Sequence, residues 1–592
     1  MNVTSLIEFP VTGAISNYDI RKGRGDLQAG LTLALLAVPQ CMAYALIANL
    51  DPIYGLYAGF TAVIAGSLFS SSEYLITGPN GTICLVVGSI IYGLNGMAPT
   101  TAVIYLTVLV GLLQIGFSFL RLGNLARFVS QSVITGFIVG SAVVIIGDQV
   151  IYLLQVSSEA SNSPYFIDRV YRSLREVIQR ATLPYRTLGL GIGAIVFMLG
   201  LRSIHHRIPA GLLTILLGAL LSFYFQFGEQ GIRIVGEIPS GLPSLTLPGL
   251  DFGAFRRLFS GAFALTLLGS VQAVSIARSI ASSTRESLDE NQELFGQGVS
   301  NLVAGIFQGF PVSASFSRSF LNFNAGAQTR LAGIYCGIFI LLTILYAAPV
   351  AYYIPQALLA GLIIVVIGDI FDWEEILVSV GTTYRDQWAF LATFFSVLIL
   401  ELDTAIYIGV GVSLILYLRK ASHLDLKEYI VDESGELQHI VDYQQRVESR
   451  VALIDVNGEA FFGSANLIKK RIKNLCEESE QLKVIVLRMK NAMNLDITGV
   501  LTLEEIALDL KEQGRTLMLC GVTPGIREVL EESGVADVIG EDKILVAQKS
   551  LLESTRQAID RARAHIDSVL EGEESRGEET EPPLKHTMEQ VK

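Results

Sequence analysis

Up to about residue 420 the chain is built of long apolar runs separated by short charged stretches, and beyond that point the runs shorten and charges become dense. Leu27–Leu50 and Pro52–Ser72 carry no charged residue, and neither does the whole of Tyr74–Leu120. A helix that crosses a bilayer needs about 20 apolar residues, so Tyr74–Leu120 holds two. Phe128–Gly147, Thr187–Leu201, Ile208–Gly228, Leu258–Ala277, Leu294–Ser317, Leu331–Gly368, Gln387–Leu400 and Thr404–Leu418 follow. Leu331–Gly368 again fits two, broken near Pro349 and Pro355, and Pro311 splits Leu294–Ser317 into one span and the start of another. The pattern predicts a mainly α-helical polytopic membrane protein of about 14 spans. The C-terminal part reads differently. Val451–Val456, Lys483–Met489 and Thr516–Cys520 are short Val/Ile-rich strands. Amphipathic helices at Ser464–Glu478, Gly499–Gln513 and Pro524–Ser533 alternate with them, which predicts a small α/β domain.

An even number of spans puts both termini on one side. Arg121, Arg127, Arg202, Arg207, Arg278, Arg285, Arg330, Arg385, Arg419 and Lys420 then share that side, the cytoplasm by the positive-inside rule. The loop Gln155–Arg186, with Arg169, Arg172, Arg175, Arg180 and Arg186, is the exception, offset in part by Glu159, Asp168 and Glu176. Composition agrees with two solvents: 51% of residues are hydrophobic and 17% charged, against about 25% charged in soluble proteins. The formal charge of -13 sits largely in the last third, and no basic patch interleaved with aromatics points to nucleic acid. Cys41, Cys84, Cys336, Cys476 and Cys520 form no CxxC pair, so neither a disulfide framework nor a zinc site is expected. Residues 1–26 contain no signal-peptide core.

Two interruptions carry the chemistry. Thr77-Gly78-Pro79-Asn80-Gly81-Thr82 and Gly309-Phe310-Pro311-Val312-Ser313-Ala314-Ser315-Phe316-Ser317-Arg318 each place a proline and small polar residues inside an apolar run that then continues as a helix. The residue before proline is pushed away from helical geometry, and the freed backbone groups survive in a membrane only inside protein or beside water. The breaks fall in the third and tenth spans. That odd separation reverses the chain's direction, as a seven-plus-seven inverted repeat requires. Two helix N-termini facing one cavity make an anion site. Thr82, Ser313, Ser315 and Ser317 supply hydroxyls and Arg318 a full charge, and an intramembrane arginine marks function. No nucleophile–base constellation or phosphate loop suggests an enzyme, and no cofactor or metal is implied.

These segments resemble the SulP family of sulfate permeases and related anion transporters. The resemblance rests on Ala29-Gly30-Leu31-Thr32, Pro39-Gln40-Cys41-Met42-Ala43-Tyr44-Ala45 and Tyr54-Gly55-Leu56-Tyr57 in the opening spans, and on Gly78-Pro79 in the third. In the ninth and tenth it rests on Asn291-Gln292-Glu293-Leu294, Gly298 and Asn301, then on Phe310-Pro311, Ser315-Phe316-Ser317-Arg318-Ser319, Asn322 and Ala325-Gly326. The resemblance implies a uracil-transporter-type core, an elevator mechanism, a homodimer and a C-terminal STAS domain, with a possible cytoplasmic protein partner at that domain. Carried over by position, it implies an anion lined by Gln40, Tyr44, Asn80, Ser317 and Arg318, and with the two interruptions the expected binding set also takes in Gly81, Thr82, Ser313, Ala314 and Ser315. The chain departs from the family at Gln272, where many members carry a glutamate and related bicarbonate transporters an aspartate. An amide cannot take a proton, which puts proton or sodium coupling at this position in doubt. In antagonist STAS domains a phosphorylated serine sits in an Asp-x-Ser-Gly turn, here Asp496-Ile497-Thr498-Gly499, which makes Thr498 a candidate phosphosite, with a plain N-cap role as the alternative.

The resulting division is a cytoplasmic segment at residues 1–25, the transport domain at 26–420, a linker at 421–437, the STAS domain at 438–563 and a disordered acidic tail at 564–592. Expected function is secondary transport of a small oxyanion, sulfate first, across the plasma (inner) membrane. Bicarbonate, chloride or dicarboxylate transport stands as the alternative, and a membrane-anchored signalling scaffold as the alternative class. Asp148 and Asp403 are expected to be solvated or capping groups at span ends, and His205-His206 part of a basic loop.

Overall fold

The protein is described from a computed structural model covering residues 18–578, apart from 93–96, 124–129, 158–162, 164, 181–182, 205–208, 237–240, 250, 369–372, 382, 422–423, 432–436, 440–449, 461–463, 494 and 549–552. His205, His206, the Asp403 side chain and residues 579–592 lie outside the described residues. The chain divides into two units, Met1–Leu414 and Ile415–Lys592.

The first unit is helical. Its elements are α1 (Ile20–Ile47), α2 (Pro52–Phe69), α3 (Gly81–Tyr92), α4 (Pro99–Phe119), α5 (Gln131–Leu153), α6 (Phe166–Arg180), α7 (Tyr185–Ile204), α8 (Ala210–Phe225) and α9 (Phe252–Thr284). There follow α10 (Glu290–Ile306), α11 (Phe316–Asn324), α12 (Leu331–Ala351), α13 (Gln356–Gly368), α14 (Trp373–Gly381), α15 (Tyr384–Ile399) and α16 (Leu402–Ala421), which begins in this unit. By length and composition α1, α2, α4, α5, α7 and α9 can each cross a membrane, and shorter apolar helices accompany them. At 1.5 Å per residue α3 and α11 are only about 18 and 14 Å long, near half of a ~30 Å hydrocarbon core. Where spans pack tightly, small residues allow it. A Cβ on Gly111 of α4 would lie 2.8 Å from the Gly298 carbonyl of α10, and one on Gly298 2.9 Å from the Gly111 carbonyl, so the two backbones touch.

Arg330, expected as a loop charge, is instead buried. Its guanidinium donates to the carbonyls of Ser70 (2.7 Å) and Ser71 (3.2 Å). Asp148 is no cap, and its side chain, 30% exposed, is only partly in solvent. It holds Arg169 of α6 in a two-pronged pair, with both N–O distances 3.0 Å. The arginine-rich loop is thereby largely neutralised from within, because Arg172 pairs with Asp168 and Arg180 with Glu176.

The second unit is an α/β sandwich. Strands β3 (Asp425–Val431), β4 (Leu437–His439), β5 (Val451–Glu459), β6 (Val484–Arg488), β7 (Ala492–Met493), β8 (Thr516–Val522) and β9 (Ile544–Val546) form the sheet β4-β3-β5-β6-β8-β9, with β7 against β5. β5, β6, β8 and β9 run parallel, and β3 and β4 antiparallel at one edge. Side chains alternate between the two faces, as the strand period of two demands. Ile454, Ile485, Leu487 and Leu519 join one core with α17 (Ala465–Glu478), α18 (Ile497–Glu512), α19 (Pro524–Glu532) and α20 (Val535–Ile539). Leu453, Val484, Val486 and Met518 join a second core beneath α21 (Glu553–Glu578).

The sheet starts before residue 438. β3 occupies part of the expected linker, because its charged positions Asp425, Lys427 and Glu428 disguise a strand that pairs with β4 on one side and β5 on the other. At the other end α21 continues beyond residue 563 to Glu578, into the expected tail.

Candidate anion site

The two proline interruptions meet. Each forms a two-residue strand, β1 (Thr77–Gly78) and β2 (Ser313–Ala314), and the strands pair antiparallel, Thr77 opposite Ala314 and Gly78 opposite Ser313. The Ser315 N–H adds a bond to the Ile76 carbonyl at 3.0 Å. Helices α3 and α11 start directly after these strands, so their N-termini lie side by side. The N–H groups of Gly81, Thr82 and Ile83, and of Phe316, Ser317 and Arg318, precede the first intrahelical bond of their helices. Asn80 satisfies one of them, its Oδ1 accepting from the Ile83 N–H at 2.9 Å, while its Nδ2 donates to the Ala314 carbonyl at 3.2 Å. One side chain thus caps the first half-helix and ties it to the second interruption.

Arg318 stands behind this junction, 2% exposed. One guanidinium nitrogen donates to the Pro79 carbonyl at 2.5 Å and another lies 3.8 Å from the Cys41 Sγ of α1. Gly78 leaves room for it, since a Cβ there would stand 3.0 Å from that guanidinium and press on it. Arg318 is therefore a brace as well as the charge expected of it. Tyr44 approaches from α1, with Cε1 3.5 Å from where a Gly81 Cβ would be. Gln40 and Gln272 are buried, and the Oε1 of each accepts no hydrogen bond among the described residues. Gln272 lies on α9, one turn from Gly269, whose carbonyl accepts the Ser313 hydroxyl at 2.9 Å.

The expected residues divide accordingly. Gly81, Thr82, Tyr44, Asn80, Ala314 and Arg318 gather at the junction, and Gln40 precedes the Arg318 contact Cys41 by one residue. Ser313 has spent its proton on Gly269, so it is not the free donor expected. Ser315 is half-buried and starts α11 without a side-chain cap, and Ser317 is exposed on the outer face of that helix. Thr498 belongs to the other unit. It is exposed in the first turn of α18 and is not the cap; Asp496 is, accepting from the Gly499 N–H at 2.8 Å.

A set of residues the sequence reading gave no role supports the junction. Glu293, Gln297 and Asn301 recur every four residues on α10 and are all fully buried. Asn301 accepts from the Val312 N–H (2.9 Å) and donates to the Val312 carbonyl (3.1 Å) and to Gln114 (2.9 Å). Gln297 donates to the Thr77 hydroxyl (2.8 Å) and to Glu293 (3.1 Å), and Glu293 accepts from the N–H groups of Ser71 and Ser72. Ser319 accepts from the Ile76 N–H and Asn322 donates to the Tyr74 carbonyl. The signal available in sequence was the four-residue spacing of amides and a carboxylate within Glu290–Ile306.

Residues 24–393 match the profile of the Sulfate permease family. The chain belongs to that family. Residues 442–550, which lie within the second unit described above, match the STAS domain. The family consists of transporters, not enzymes. Among curated relatives, Sulfate transporter 4.1, chloroplastic, of Arabidopsis thaliana is 28% identical over 88% of this chain and 78% of its own length. Among solved structures, the murine Solute Carrier 26 family member A9 anion transporter in its inward-facing state superposes with a TM-score of 0.82 over 95% of this chain and 94% of its own, at 19% identity. That likeness concerns fold. The transmembrane domain of a cyanobacterial bicarbonate transporter, BicA, is 26% identical over 67% of this chain and 98% of its own, with a TM-score of 0.56.

Proposed function

We propose that the chain carries a small oxyanion, sulfate in the first place, across the plasma membrane, binding it where the N-termini of α3 and α11 adjoin. The observation that supports this reading is the β1–β2 pairing with Arg318 locked behind it. Unpaired N–H groups, two helix dipoles and one guanidinium then act on one place, and the residues assigned to it include no carboxylate. Gln40, Tyr44, Asn80, Gly81, Thr82 and Arg318 contact or orient the anion. Ser313, Ala314 and Ser315 shape the second strand, and Ser317 borders the site.

The antiparallel register of β1 and β2 is what two inverted seven-span repeats would produce, and it fits an elevator in which both interruptions travel together with their anion. Gln272 contributes an amide where a proton or sodium carrier would need a carboxylate, so transport is not coupled through this residue. The further reading is of a homodimer with both termini cytoplasmic, whose STAS domain meets a cytoplasmic protein and is regulated at Thr498. The BicA likeness supports bicarbonate as the second candidate anion.

The test is uptake of labelled sulfate and bicarbonate into proteoliposomes, with sodium and pH gradients imposed separately. Sulfate uptake that ignores both gradients and vanishes in Arg318→Ala is the expected result. An unmutated protein that takes up neither of these anions, nor chloride or a dicarboxylate, would return the chain to the signalling alternative, and strict dependence on one gradient would place coupling elsewhere.

A further inference from the structure

Helix α6 has three distinct faces. At about 100° per residue, Phe166, Val170, Ser173 and Val177 fall within an arc of about 60°, and this face meets the protein. Phe166 packs against the core where a Cβ on Gly147 of α5 would lie 2.6 Å from its ring, and Ser173 is 2% exposed. Beside this face Arg169 grips Asp148, and Glu176 accepts from the Ser157 N–H and hydroxyl. A second arc of about 60° holds Ile167, Tyr171, Leu174 and Ile178, and these are 54, 65, 54 and 78% exposed. The third face is polar and carries Asp168, Arg172, Arg175 and Gln179. Arg172 pairs with Asp168, and Arg175 has no carboxylate within ion-pair distance among the described residues.

Four large apolar side chains in one exposed stripe are too many for a helix in water. Its surroundings say what covers them. Helix α7 begins at Tyr185, shortly after α6 ends, and its most apolar stretch is only 22% buried, with Ile192, Val196 and Leu199 exposed. The apolar stripe therefore continues onto a span that faces lipid. Exposed Tyr165, Tyr171 and Tyr185 sit at this corner, as aromatic residues do at bilayer interfaces. An apolar stripe beside an arginine-bearing polar face is the pattern of a helix lying in the plane of a membrane.

We infer that α6 is an in-plane helix embedded in the bilayer interface, its Ile167–Ile178 stripe among acyl chains and Arg172 and Arg175 at the lipid phosphates. The Arg169–Asp148 pair fastens it to α5, so the helix fixes the depth at which α5 sits.

The test uses the full chain with Cys476→Ser, because the other cysteines are buried. An environment-sensitive fluorophore is attached at Leu174→Cys, Ile178→Cys or Arg175→Cys after reconstitution in phosphatidylcholine–phosphatidylglycerol vesicles. Expected is quenching by shallow doxyl-labelled lipid several-fold stronger at 174 and 178 than at 175, with aqueous iodide showing the reverse order. Equal iodide access at all three positions would overturn the inference. So would shielding of 174 and 178 from both quenchers, which would place protein, such as a second copy of the chain, over the stripe.

Discussion

The two units face the same problem, a backbone that must find hydrogen-bond partners away from water, and solve it in opposite ways. In the STAS domain strand pairs with strand, and β5, β6 and β8 satisfy one another through main-chain groups alone. At the interruptions in the membrane unit β1 and β2 supply only four residues of ladder. Main-chain groups of Ser70, Ser71, Ser72, Tyr74, Ile76, Ile83 and Val312 are met by the side chains of Arg330, Glu293, Asn322, Ser319, Asn80 and Asn301, and Gln297 ties Glu293 to the Thr77 hydroxyl. A ladder tolerates any side chain that packs. A network of amides and one guanidinium tolerates almost none, since removing one member strands a buried backbone group.

That contrast can be broken by experiment. The largest expected effect is at Arg318. Arg318→Ala should cut uptake at least roughly thirtyfold, the equivalent of about 2 kcal/mol. Arg318→Lys should fail nearly as badly, because an ammonium keeps the charge but not the fork that reaches Pro79 and Cys41. Near-normal uptake in the lysine variant would mean that the brace is dispensable.

Next comes Asn301→Leu, close in volume yet expected to destabilise the purified protein by about 2–6 kcal/mol, since the Val312 N–H and carbonyl each lose a partner at about 1–3 kcal/mol. The matched change in the other unit, Leu487→Ile on β6, should cost under about 1.5 kcal/mol. Thermal unfolding followed separately in each unit compares them, and equal costs would erase the distinction drawn above. Gln272→Glu should leave stability nearly unchanged and make uptake depend on external pH; a pH-independent variant would show that a carboxyl at this position exchanges no proton during transport.

The smallest effect lies in the clasp at α6. Hydrogen bonds from Ser157, with help from Arg180, hold the Glu176 carboxyl below its ordinary range. Its contribution is therefore complete above the ordinary glutamate value of about 4.3 and is lost as pH falls through the lower value it has here. Amide exchange within α6 should accelerate over that acidic interval and stay constant above it. Unchanged protection throughout would mean that Glu176 does not hold the loop.

Much of this architecture could be read from residue order. The run lengths anticipated the helices of the first unit, the prolines located both interruptions, and the strand and helix alternation after residue 450 anticipated the second core. What escaped was whatever depends on partners distant in sequence. Ser313 looked like a free donor because nothing local shows that the Gly269 carbonyl is beside it. Arg330 looked like a loop charge because its acceptors, Ser70 and Ser71, lie in the other half of the chain. Asp148 showed no partner because Arg169 reaches it only after α6 folds back. Asn301 had a motif but no visible task, since its task is to complete Val312. The strand β3 was lost for a different reason: its charges Asp425, Lys427 and Glu428 hid it, and the Glu428 charge is buried only because Arg471 pairs with it.

The reliance of residues 70–80 on groups from Glu286 to Arg330 has a consequence for synthesis. Ser71, Ser72, Glu73, Tyr74 and Ile76 take their hydrogen bonds from, or give them to, Glu293, Glu286, Asn322 and Ser319. While the ribosome has yet to deliver those residues, the third span is an open stretch of polar main chain with nowhere apolar to rest. The nascent N-terminal half must therefore be sheltered by insertion machinery or water until its completing half arrives, and a truncation ending before residue 330 should be cleared by proteolysis, not accumulate as a smaller carrier.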